Sequence, residues 1–193
     1  MYKVKDFKYL LGLEGFSDNS LNIHFTLYEG YVNNINSILE GFRNRSISHG
    51  SIEGAEVKRR LGWEYNGMKL HEIYFGSLSK TPNILNIESK LAKKIEETYG
   101  SFDNWVEIFK KIATIRGIGW TALAVDEEGN LFTIWFEEHN TGLLANSKII
   151  LCIDMLEHAF IIDFGTKKLD YVNTFLKSID WNICEERFNN FNR

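Results

Sequence analysis

Asp154 and His158 stand four residues apart. On a helix four residues cover about 400°, which puts the two side chains on one face a turn apart. A carboxylate and an imidazole so placed can chelate one metal ion. The plainer reading is an Asp–His hydrogen bond beside the core. The flanks, Ile149–Ile153 and Ala159–Ile162, are strongly apolar, so both groups are expected to be buried. A buried carboxylate needs a charge partner or a metal. Three further histidines bear on the question. His71 lies in Leu70-His-Glu-Ile-Tyr-Phe75 and His24 in Asn22-Ile-His-Phe25; taken alone, each reads as a packed core histidine. His139 lies in the loop Glu138-His-Asn-Thr-Gly142. His49 sits in a polar segment and is expected to face solvent.

Other chemistry is thin. Gly117-Ile118-Gly119 lacks the third glycine of a dinucleotide loop and precedes a strand, not a helix, so that reading is rejected. There is no Gly-x-Ser-x-Gly nucleophile elbow. The two cysteines, Cys152 and Cys184, are too few for a disulfide framework and form no Cys-x-x-Cys pair. They are expected to be buried free thiols, which points to a reducing, cytoplasmic setting.

These residues must be positioned by the elements around them. Between Leu21 and Phe42, apolar residues at 23, 27, 28, 31, 32, 35, 38, 39 and 42 form one stripe on a long helix. Asp18-Asn19-Ser20 offers N-cap candidates and Gly41 lies near the end. A polar loop from Arg43 to Ser51 follows. Helical periodicity resumes over Ile52–Arg60 and Leu70–Leu78, with Gly62 and Gly67 expected to make the middle irregular. Pro82, the only proline, marks a connection. Beyond it, Ile87–Tyr99 and Phe102–Ile115 read as amphipathic helices with Ser101 as a cap. Trp120–Val125 and Leu131–Phe136 flank Asp126-Glu-Glu-Gly-Asn130 as an antiparallel hairpin. Lys148–Ile153 reads as a third, buried strand, and Asp154–Phe164 and Leu169–Lys177 as helices. The layout is α+β: an N-terminal helical hairpin over residues 1–82, then an α/β domain over 83–193 with a three-stranded antiparallel sheet flanked by helices. A metal site is expected between the two.

Composition is that of a globular chain. Of 193 residues, 44% are hydrophobic and 25% charged, which excludes a disordered or fibrous protein. The net charge of −4 carries no basic footprint, so nucleic acid is not an expected partner. No apolar run approaches the roughly 20 residues that span a bilayer, so no membrane role is expected, and the N-terminal segment does not read as a secretory signal.

The motifs together resemble one family. Leu70-His-Glu-Ile-Tyr-Phe-Gly-Ser-Leu78 resembles the His-Thr-Phe-Tyr-Trp-x-x-Leu segment of iron/manganese superoxide dismutases. Gly100-Ser-Phe-Asp-Asn-Trp105, Arg116-Gly-Ile-Gly-Trp-Thr121 and Ile153-Asp-Met-Leu-Glu-His-Ala-Phe-Ile-Ile-Asp163 resemble its later segments in order, and Asp170-Tyr171 and Asp180-Trp181 match its closing helices. The resemblance covers nearly the whole chain, and Asp-x-x-Glu-His-Ala is its most specific piece.

The resemblance implies a mononuclear site for one Fe or Mn ion per chain. Carried over by position, His71, Asp154 and His158 are the second, third and fourth ligands, and His24, the only histidine of the N-terminal helix, is the first. Such a nitrogen and oxygen set suits Fe or Mn. The implied activity is dismutation: one superoxide is oxidised to oxygen, and a second is reduced to hydrogen peroxide with uptake of two protons. Tyr31, in Gly30-Tyr-Val-Asn-Asn34, resembles the gateway tyrosine that caps the substrate funnel and relays protons. The residue four before His71 is Gly67, which leaves one position for a second-layer amide empty, as in manganese types. The other position falls at His139 or Asn140, with His139 favoured, and Trp120 would line the pocket. Glu157 resembles the glutamate that bridges to the ligand histidine of a second subunit, which implies a homodimer. Departures are clear. The His24–Tyr31 spacing is seven residues, one short of the family's. Leu27 and Ile161 replace a histidine–tyrosine pair, and Phe75, Ala122 and Leu156 replace tryptophans. Two other readings stay open on this scaffold: a different redox or oxygen-using metalloenzyme, and a metal-binding protein of low activity.

Overall fold

The computed structural model describes residues 1–191. Helix α1, Asp18–Arg43, is capped by Ser17, whose side chain accepts from the Ser20 N–H. The cap therefore precedes the expected Asp18-Asn19-Ser20 run; Asp18 instead sits in the first turn, where its charge suits the helix dipole. α1 buries Leu21, Phe25, Tyr28, Val32 and Ile35. Of the expected stripe, Ile23 and Leu27 stay exposed at 42% and 37%.

Helix α2, Ile52–Phe75, is continuous, which corrects the expected irregular middle. It packs against both α1 and the sheet, so it buries more than one side and shows no single stripe. Gly67 serves close approach instead of breaking the helix. A Cβ on Gly67 would stand 2.6 Å from the Tyr31 ring, well inside van der Waals contact, so only glycine lets α1 lie this near.

Helices α3, Lys90–Tyr99, and α4, Phe102–Ala113, follow, with Ser101 capping α4 as expected. Strands β1, Gly119–Val125, β2, Leu131–Glu137, and β3, Lys148–Asp154, form an antiparallel sheet in the order β2-β1-β3. Every residue of the central strand β1 is buried. Its ladder with β3 sets Trp120 opposite Asp154. Helices α5, Glu157–Phe164, α6, Lys168–Lys177, and α7, Trp181–Asn189, complete the chain. The expected helix from Asp154 is thereby corrected: Asp154 is the last residue of β3, and α5 begins three residues later.

The fold is α+β, with a helical N-terminal part and an antiparallel sheet flanked by helices. Arg187 ties the parts together: its guanidinium donates to Ser77 Oγ at 2.7 Å, Ile150 O at 2.8 Å and Ile73 O at 3.2 Å. α2 packs on β3 and α1 on α5, and the histidines of these helices meet the end of β3 at that junction. Among the described residues, no helix is long and apolar enough to cross a membrane.

Candidate metal centre

Four side chains from four elements converge. His24 comes from α1, His71 from α2, Asp154 from the end of β3 and His158 from the first turns of α5. One ligand atom from each lies within 4.8 Å of all the others. The focus is Asp154 Oδ2. The Nε2 atoms of His158, His24 and His71 stand 3.0, 3.3 and 3.4 Å from it. Asp154 Oδ1 is turned away and accepts from the Leu156 N–H at 2.8 Å. That bond, with Leu156 as the N-cap residue of α5, fixes the carboxylate where strand becomes helix. Asp154 and His158 thus meet across a strand–helix corner and not along one helix face.

The donor set fits a cation. His71 Nδ1 lies 2.6 Å from the Gly67 carbonyl, which can only accept, so Nδ1 carries the hydrogen and Nε2 presents a lone pair. This lone pair faces a carboxylate oxygen, and His71 Nε2 and His24 Nε2 are both buried without a hydrogen-bond partner. Two buried electron-rich atoms aimed at each other are stable only with a positive charge between them. Three imidazole nitrogens and one carboxylate oxygen suit a borderline divalent or trivalent ion such as Fe or Mn.

The surroundings favour neutral imidazoles at His24 and His71 and an ionised carboxylate at Asp154. Burial drives His71 well below the usual histidine range, helped by the neighbouring His24. Burial also lowers His24, against the pull of Asp154. For Asp154, burial opposes ionisation, but the charge and hydrogen bond of His158 and the neighbouring His24 hold it well below the usual carboxylate range. His158, whose side chain is 22% exposed, is raised because Asp154 outweighs its own burial.

A second layer stands beside the cluster. Tyr31 lies with its ring 5.2 Å from that of His71. The spacing on α1 works out simply: seven residues turn a plain α-helix by about 700°, so His24 and Tyr31 share a face. Helix α1 is α-helical throughout, and the short spacing needs no bulge. Tyr31 Oη is 2.7 Å from His139 Nε2, and Trp120 Nε1 is 3.0 Å from His139 Nδ1. His139 is fully buried and Asn140 exposed, so of the two loop candidates His139 is the one brought to the site. Burial drives its imidazole down to about 4. Trp120 packs edge-on to His71 at 5.2 Å.

Sequence reasoning overlooked Trp63. Its ring sits 4.7 Å from that of His139, and the Arg60 guanidinium lies 4.5 Å from the centre of the Trp63 ring. The signal was present: Trp63, Gly67 and His71 recur every four residues and so line one face of α2. Arg60 also pairs with Glu64 at 3.3 Å, and Glu64 accepts from Asn34 at 3.0 Å. His49 is exposed, as expected, and stacks on Phe42 at 4.4 Å. Cys152 and Cys184 are buried free thiols. Thr121 Oγ1 is buried without a partner, and nothing in the structure explains it.

Residues 87–187 match the family described as iron/manganese superoxide dismutases, C-terminal domain. An iron superoxide dismutase of Aquifex aeolicus is 35% identical over 184 residues, covering 91% of this chain and 85% of the relative. One of Saccharolobus solfataricus is 31% identical over 184 residues, covering 91% and 86%. One of Bacteroides fragilis is 29% identical over 178 residues, covering 89% and 90%.

Proposed function

The chain belongs to the iron/manganese superoxide dismutase family, and on that premise we propose that it dismutates superoxide to oxygen and hydrogen peroxide at the cluster His24, His71, Asp154 and His158. The observation that carries this is the lone pair of His71 Nε2 facing Asp154 Oδ2 at 3.4 Å, an arrangement that calls for a bound cation. One Fe or Mn ion per chain supplies a one-electron couple between its +2 and +3 states.

The protein's own residues do the rest. With a cation in place of any proton on Nε2, His24, His71 and His158 would be neutral donors and Asp154 would bring a single negative charge, so a trivalent or divalent ion would stay net positive and attract an anion. Tyr31 stands at the pocket wall with its hydroxyl bonded to His139, placed to hold a proton for the peroxide-forming half of the cycle. Trp120, Trp63 and the Gly67–Tyr31 contact keep this wall closed. The replaced tryptophan positions do not open a cavity for an organic substrate: Phe75 and Ala122 are 0% exposed and Leu156 9%. A filled shell favours a diatomic substrate over a larger one.

The active unit is a homodimer in a reducing, cytoplasmic setting. Glu157 is exposed beside His158, ready to reach across to a second copy. Ile23, Leu27 and Ile161 on α1 and α5 are 42%, 37% and 46% exposed, an apolar surface that a second copy would cover. Gly67 and His139 resemble the manganese-type arrangement, whereas the relatives above are named as iron enzymes.

The direct test is superoxide decay followed by pulse radiolysis with metal-loaded and metal-stripped protein. Catalytic decay that follows Fe or Mn content supports the reading. Full occupancy without catalysis would leave a metal-binding protein on this scaffold.

A further inference from the structure

We infer that Trp120 locks His139 into one tautomer and thereby sets the direction of the hydrogen bond at Tyr31: His139 Nε2–H donates to Tyr31 Oη, and Tyr31 keeps its own hydroxyl hydrogen for the pocket. The indole N–H can only donate. With Trp120 Nε1 at 3.0 Å, His139 Nδ1 must therefore present a lone pair. A neutral imidazole carries one hydrogen, and here it can only be on Nε2. Tyr31 Oη lies 2.7 Å from that atom and so accepts. The reverse direction, Tyr31 donating, would require the hydrogen on Nδ1, pointing into the indole N–H. Adding a second proton to His139 would create the same clash. His139 is 0% exposed, and Trp63 closes over its ring, so no water competes for Nδ1.

A consequence separates histidine from glutamine at this position. A glutamine could accept from Trp120 through its oxygen and offer two N–H groups inward, one for Tyr31 and one to spare. His139 offers one, and Tyr31 takes it. No N–H remains on His139 for a molecule bound in the cluster. Tyr31 is then the side chain of this pair that presents a hydrogen to that molecule. His139 is a positioning residue: it holds the Tyr31 oxygen by its lone pair, and the hydroxyl hydrogen is left free to point away. Gly67 supports the same geometry, because any side chain there would push the Tyr31 ring off His139.

What the Tyr31 hydrogen is used for rests on the dismutase reading; the tautomer does not. The test is nitrogen NMR of the full chain with labelled histidine, loaded with Zn(II), a diamagnetic ion that His and Asp ligands accept. The expected result is one His139 species with its hydrogen on Nε2 and a bare Nδ1. A hydrogen on Nδ1, or a mixture of tautomers, overturns the proposal. In Tyr31→Phe the hydrogen should stay on Nε2, because Trp120 still donates; its transfer to Nδ1 would show that Tyr31 sets the tautomer. Trp120→Phe should yield a mixture, and a pure Nε2–H species there would contradict the lock. If Trp120→Phe does not fold, the parent and the Tyr31→Phe spectra decide the matter. None of these spectra depends on turnover, so a chain that fails to dismutate superoxide leaves them equally decisive.

Discussion

Trp120 and Asp154 face each other across one rung of the β1–β3 ladder. That rung carries both the carboxylate at the focus of three imidazoles and the indole that holds His139. The sheet register thus sets the distance between the ligand cluster and the Tyr31–His139 pair. A one-residue slip would turn one of them to the opposite face.

His24 is the ligand proposed for the N-terminal helix. His24→Ala purified from medium containing both Fe and Mn should bind metal at least about tenfold more weakly, since even outer partners of a metal site are worth 10- to 100-fold in affinity. Metal analysis checks it. Parent-like occupancy would mean that another group supplies the first ligand.

The role proposed for Tyr31 is in proton transfer and not in holding the metal. Tyr31→Phe should keep its metal content and lose turnover by about a hundredfold, the low end for a positioned proton donor. Stopped-flow or pulse-radiolysis kinetics beside metal analysis separate the two effects. Unchanged kinetics would remove Tyr31 from the proton path.

Gly67 is a packing device. Gly67→Ala places a Cβ 2.6 Å from Tyr31 Cδ1 and 2.8 Å from Cε1. Overpacking should destabilise the fold by about 1–3 kcal/mol, offset by up to about 1 kcal/mol of helix propensity. Urea unfolding measures the net effect. A stabilised variant with parent-like turnover would show that the contact relaxes freely.

Glu157 is expected to act between subunits. Glu157→Gln should shift the sedimentation-equilibrium profile toward monomer at low micromolar concentration while each chain stays folded by circular dichroism. A parent that is already monomeric in that range would end the dimer reading.

Much of this was legible in the sequence, and the misses have physical causes. The strand hairpin and the Ser101 cap announce themselves by local pattern. The Asp154–His158 pair pointed to shared chemistry, but four-residue spacing suggested a helix where a strand ends. The apolar run Ile149–Ile153 is fully buried at its end, so it shows no period-two alternation that would mark the strand boundary. Glycine disfavours helices, so local pattern predicts an irregular middle for α2, yet Gly67 answers to Tyr31 from another element, a contact no local window contains. Trp63 was missed for a similar reason: its partner His139 lies in a distant loop.

The most direct test is an anomalous-scattering map, at the Fe or Mn edge, from crystals of the metal-loaded chain. The expected result is one peak per chain, about 2.0–2.2 Å from His24 Nε2, His71 Nε2, His158 Nε2 and Asp154 Oδ2, the range typical of such metal–ligand bonds. A peak elsewhere, or well-ordered loaded protein with no peak among these four atoms, would contradict it.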